Sequence, residues 1–195
     1  MIERVDGPFD EVMLTIKSCS GAGLSMRFLL RELSIELRAI AEEGRCTLLV
    51  ISHEGDDFNH ALGSSAWYCH AGAAQEVRPA LLMDVLLRLE SFPAPVILCV
   101  EGGCFGIALL MASSCDMVLA ERDSLFSLSG IDQLPWARQI TGYMQSVIAA
   151  GVRSQDLFGA VRARRIGLAT QVFQDEGKLT ALMRCKASLL AGLYP

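Results

Sequence analysis

Apolar and polar residues alternate along this chain in two rhythms. Phe9 to Ser18 (FDEVMLTIKS) opens on a polar pair and then alternates, the period-two pattern of a β-strand. After Gly21-Ala22-Gly23, a stretch from Ser25 to Glu43 repeats Leu29, Leu30, Leu33, Leu37 and Ile40 at steps of three and four. That spacing predicts a long helix with one apolar face. Gly44 stands just past its last turn, where a glycine closes a helix. Cys46 to Ser52 is a continuous apolar run of strand length, suited to burial on both faces. The polar segment from His53 to His60 and then Ala61-Leu62-Gly63-Ser64-Ser65 follow, and residues 64–78 carry no single rhythm.

Pro79 precedes a leucine-faced helix from Ala80 to Glu90. Pro93 and Pro95 bracket the entry to a second buried strand, Val96 to Val100. Gly102, Gly103 and Gly106 then mark a turn, and a short apolar helix is predicted from Ile107 to about Ser114. Asp116 to Ala120 reads as a third strand and Leu125 to Leu128 as a fourth. Helices near 142–150, 154–166 and 178–192 close the chain around a short strand at Gln171 to Phe173. Strands alternating with helices imply an α/β protein with parallel pairing. No repeat, linker or low-complexity tract interrupts residues 1–195, so one domain is predicted.

Composition narrows the function. A chain of 195 residues that is 52% hydrophobic can bury a core and is no disordered chain. Its net charge is −5, and its 17 cations are scattered, which argues against nucleic acid, whose binding rests on neutralising phosphates. Seven cysteines form an odd set with no CxxC pair, and Cys99, Cys104 and Cys115 lie in or beside apolar runs. They read as buried thiols of a reduced, cytoplasmic protein without a structural metal. The first residues, MIERVDGP, lack the apolar core of a signal peptide. The apolar runs, about ten residues, fall short of the roughly 20 that span a bilayer.

Three kinds of site can be weighed on residues alone. The Gly102–Gly106 turn follows a strand and opens a helix, with Glu121 about 20 residues on, as a dinucleotide site requires. The pattern is GGxxG rather than GxGxxG, and the helix is too short for a crossover, so this reading is set aside. A serine hydrolase lacks its GxSxG, since Ser64, Ser65, Ser127 and Ser129 have no such frame. Cys104 is either a nucleophile or a small residue filling a tight turn, and the second is the commoner use of a cysteine.

The segment PVILCVEGGCFGIALLMASSCDMVLA, residues 95–120, resembles the core of the crotonase (enoyl-CoA hydratase/isomerase) family. In that family a PVIAAVNG-like strand meets a glycine-rich turn, a short helix, ACD and a further strand, here ending near Leu125-Phe126. Upstream, LVISHEGDDFNHALG (residues 49–63) resembles the family's strand, acidic turn and FSAGAD-type segment. Ala22-Gly23-Leu24-Ser25 is similar to its NALS, and Arg164-Arg165-Ile166-Gly167-Leu168 to its A..GL(V) segment. The resemblance spans residues 9–192. It implies a crotonase-like spiral of ββα units with outer helices, association as a trimer or dimer of trimers, and a C-terminal helical region shorter than in full-length relatives.

The resemblance also implies a chemistry. Two backbone amides, at Leu62 and Ile107, would stabilise the enolate of an acyl thioester, with Ala22, Leu24 and Gly106 on the binding side. No separate cofactor is implied, because coenzyme A or phosphopantetheine arrives as part of the substrate, on a small molecule or an acyl carrier protein. The two glutamates of hydratases align with Leu110 and Gly130, neither of which can move a proton. Decarboxylation or double-bond isomerisation, a lyase or isomerase activity, is therefore expected in place of hydration. Family decarboxylases lacking both glutamates use an oxyanion hole, because loss of CO₂ itself generates the enolate. The alternative is a catalytically inactive domain that binds a thioester or a partner protein. Proton donors would come from His70, beside Tyr68, from His60 or from Asp132, with His53 flanking the first turn. The histidines read otherwise as surface-loop residues and Asp132 as a helix N-cap. Asp116 is expected at a strand start, and Trp67 and Trp136 either line an acyl pocket or pack the core.

Overall fold

A computed structural model describes residues 2–17, 26–54, 79–128, 151–153, 156–174, 177, 180–182 and 185–186. Strand β1 (Ile2–Asp6) turns back into β2 (Glu11–Ile16), and helix α1 (Met26–Glu43) follows. Then come β3 (Leu48–His53), α2 (Pro79–Glu90), β4 (Val96–Val100), β5 (Gly103–Phe105) and α3 (Ile107–Ser113). The described elements end with β6 (Met117–Glu121), β7 (Leu125–Ser127), β8 (Leu157–Gly159), α4 (Ala160–Arg165) and β9 (Gln171–Phe173).

Six strands form one sheet in the order β1-β2-β3-β4-β6-β9. Its pairings are parallel except for the β1–β2 hairpin. Parallel neighbours need crossovers. Helices α1 and α2 lie between β2 and β3 and between β3 and β4 in sequence, and pack on each other. Ser34 Oγ donates to Asp84 Oδ2 across that contact. The predicted face of α1, Leu29, Leu30, Leu33, Leu37 and Ile40, is buried with Leu82, Val85, Leu86 and Leu89 of α2. A second cluster, including Leu48, Val50, Ile97, Cys99, Met117 and Leu119 with Ala181, Leu182 and Cys185, covers other positions of the same strands. Strands β3 and β4 are consequently buried at every residue, as continuous apolar runs require. In β2 only Val12, Leu14 and Ile16 are buried, which is why that strand alternates.

A second sheet, in the order β5-β7-β8, adds to the expected architecture. Gly103 to Phe105, expected as part of a turn, is a strand paired parallel with β7. Residues 154–166, expected as one helix, contain β8 at 157–159 before α4 begins. Strand β1 goes beyond the expected elements: it lies at the edge of the sheet, and no residue in it is fully buried, so its sequence carries little apolar pattern. Each of these short strands exists through pairing rather than through its own propensity. Phe126 of β7 stacks on Phe158 of β8 with ring centroids 5.9 Å apart, closing the small sheet onto the core.

Asp116 directly precedes β6, where Oδ2 accepts the Val96 amide at 2.7 Å and so aligns two strand beginnings. Cys99 and Cys104 are buried and Cys115 packs against the core, as their apolar surroundings imply. The Cys115 thiol donates to Met111 O, and burial pushes its pKa up, with the Asp116 carboxylate adding to the effect. No helix among the described residues is long and apolar enough to cross a membrane.

Candidate active site

In parallel α/β sheets ligands collect at the carboxyl ends of the strands. Strand β4 ends at Val100 and leads through Glu101 and Gly102 into β5, then through Gly106 into α3. Two glycines make this path feasible. Gly102 has φ +70°, and Gly106, the residue that caps α3, has φ +53° and ψ −117°. The second combination suits glycine, because a Cβ strains it.

Hydrogen bonds hold the path against β7. The Gly102 carbonyl accepts the Leu125 amide at 2.9 Å, and the Gly106 amide donates to Ser127 O at 3.0 Å. Ser124 Oγ donates to Val100 O at 3.2 Å. Inside α3 the Leu110 amide donates to Gly106 O at 3.1 Å, so the first intrahelical bond begins there. The amides of Ile107, Ala108 and Leu109 belong to the first turn, which by helix geometry has no intrahelical acceptor for them. The Ile107 side chain packs against the core, while Ala108, Leu109, Leu110 and Met111 are buried within it.

Leu110, expected from the sequence to stand where hydratases carry a glutamate, is 1% exposed.

His53 departs from the surface-loop reading. It is the last residue of β3 and is 3% exposed, not a surface-loop histidine. Its Nε2 accepts the Glu101 amide at 3.3 Å. The same nitrogen lies 3.7 Å from Glu101 Oε2, a contact that serves as an ion pair only if the ring is protonated. One nitrogen cannot accept from the amide and carry a proton for the carboxylate at once. The amide contact is the shorter of the two, and the side chain is fully enclosed. Glu101 joins these residues, although the sequence expectations do not include it. The signal was a single acid directly after a wholly apolar strand and before a glycine pair.

Of the residues singled out from sequence, Gly106 and Ile107 are brought together at the start of α3. Leu62, His60, His70, Asp132, Ala22 and Leu24 lie outside the described residues, as do Tyr68, Gly130, Trp67 and Trp136.

The sequence matches no protein-family model and no curated protein. The fold is another matter. An enoyl-CoA hydratase of Mycobacterium smegmatis superposes with a TM-score of 0.72 at 18% identity, over 99% of this chain and 76% of that one. DspI of Pseudomonas aeruginosa gives 0.72 at 22% identity, over 95% and 73%. The enoyl-CoA hydratase of Bacillus halodurans gives 0.67 at 18% identity, over 97% and 79%. The chain thus has the crotonase fold.

Proposed function

We propose that the chain acts on an acyl thioester, bound to coenzyme A or to an acyl carrier protein, through backbone amides that stabilise an enolate. The reaction would be decarboxylation or double-bond isomerisation. One observation carries this reading: the Ile107 amide opens α3 directly behind Gly106, whose own amide is tied to Ser127, while Leu110 puts no acid beside it. An amide in the first turn of a helix stabilises negative charge on an acceptor, and a backbone donor persists when side chains diverge. Decarboxylation suits such a site. The bond to the departing carboxylate breaks, its electrons pass to the thioester oxygen as an enolate, CO₂ leaves, and a proton is returned to carbon. Hydration differs in needing a positioned group to deprotonate water. Leu62 is the proposed second donor and His70 the proposed proton source, with His60 or Asp132 as its substitutes.

Mass spectrometry of malonyl-, 3-methylglutaconyl- and crotonyl-CoA incubated with the protein tests this. Loss of CO₂ from either of the first two, with crotonyl-CoA left unhydrated, is the expected result. Hydrated crotonyl-CoA would refute the reading, and thioester binding without any product would turn it into the inactive binding domain. In an active protein His70→Ala lowers turnover by about 10²–10⁴-fold, the usual share of a general acid, and leaves thioester affinity within a few-fold.

A further inference from the structure

The ladder between β3 and β4 runs from Leu49 opposite Val96 to Ile51 opposite Leu98. His53, two residues farther along β3, continues the connection with its side chain, because Nε2 accepts the amide of Glu101 just past the end of β4. The path from Glu101 to Ile107 is therefore held on two sides. Gly102 and Gly106 tie it to β7, and His53 ties it to β3.

We propose that His53 is a positioning residue for the oxyanion turn: its buried imidazole fixes Glu101 against β3 and so sets where the Ile107 amide stands. The inference rests on the reading that Ile107 donates to a thioester oxygen, and it adds the residue that aims this donor. A preorganised donor loses its effect when displaced by a fraction of an ångström, so the bond acts on the site without touching substrate. The imidazole is 0% exposed at its side chain, which leaves holding as its part and excludes direct contact with solvent-borne reactants.

Three variants test it. His53→Leu keeps an apolar volume and removes the acceptor. His53→Gln places an amide oxygen near the former Nε2 and restores it. His53→Asn, too short to reach Glu101, replaces His53→Leu if that variant does not fold. The first readout is hydrogen exchange over residues 101–107. It should quicken about fivefold to tenfold in His53→Leu, the equivalent of one net hydrogen bond, and return towards wild type in His53→Gln.

The second readout is the absorption of bound cinnamoyl-CoA, whose conjugated carbonyl shifts to the red when donors polarise its oxygen. His53→Leu should bind it within a few-fold of wild type while losing most of the shift, and His53→Gln should recover it. Unchanged exchange together with an unchanged shift in His53→Leu overturns the inference, as does a loss that glutamine does not repair. A wild-type protein that binds cinnamoyl-CoA without any shift instead refutes the thioester-polarising reading, and exchange alone then decides whether His53 holds the turn.

Discussion

Glu43 ends α1, where a carboxylate meets the negative end of the helix dipole and no basic residue stands in the last turn. Arg4 of β1 answers it, with Nη1 and Nη2 each 2.7 Å from one carboxylate oxygen, and Arg45 adds a longer contact at 3.3 Å. The Arg4 hydrogen bonds hold the Glu43 pKa down at about 2 against an ordinary 4.5. A depressed acid contributes stability above its unfolded pKa and loses it as pH falls through the folded one. The urea midpoint of Glu43→Gln should therefore trail wild type near neutrality, and the gap should close between about pH 4.5 and about pH 2. The pair is only partly buried, so the gap is small. Leu110 gives a harsher test at the same scale. Leu110→Glu sets an unpaired carboxylate at a 1% exposed position. Such a charge costs about 3–5 kcal/mol by denaturant unfolding. Crotonyl-CoA should remain unhydrated in that variant.

At the scale of elements, what matters is how β5, Gly106 and α3 follow one another. Gly44 and Gly106 both have positive φ, +67° and +53°. Gly44 closes α1 with nothing within 4 Å of where a Cβ would stand, so Gly44→Ala meets only the left-handed backbone cost, about 1 kcal/mol. Gly106, with ψ −117°, lies outside the left-handed helical region, and Gly106→Ala should cost more, towards about 3 kcal/mol. Paired urea titrations check the order. Equal losses would mean that the turn into α3 relaxes to accept a side chain. Gly106→Ala should also blunt the red shift of bound cinnamoyl-CoA, because it strains the residue that precedes the Ile107 amide.

The whole molecule is closed by parts far apart in sequence. Lys186 donates to Glu11, 175 residues away, and lies 5.2 Å from the Phe9 ring centroid. That contact holds the Glu11 carboxyl below its usual range. Beside it Leu182 packs with Leu48, Val50 and Phe173 in the second core cluster and lines a cavity of about 210 Å³ together with Val5, Val12 and Met13. Leu182→Ala enlarges that cavity, and the loss should be about 2–3 kcal/mol, the lower part of the range for such truncations, because the site is already loosely packed. A single unfolding transition, with the same slope as wild type, would show that this layer unfolds together with the rest. A separate early transition would show that it does not.

Local pattern alone determined the elements with a strong rhythm of their own. The three-and-four spacing of Leu29 to Ile40 marks α1 and its buried face, and unbroken apolar runs mark β3 and β4 as central strands. The order of motifs around Gly102–Gly106 was enough to anticipate the crotonase fold, since tight backbone turns require glycine whatever the neighbouring side chains are. Tertiary structure decided what depends on a distant partner. The three-residue strands β5 and β8 have too few residues to declare a period and exist because β7 pairs with both. His53 sits in a polar stretch of sequence, yet it is buried because β3 carries it to the sheet interior beside an amide 48 positions away. Nothing within a short window of sequence encodes which group will lie opposite, so the residue placed to hold the glycine turn became visible only once β3 and β4 lay side by side.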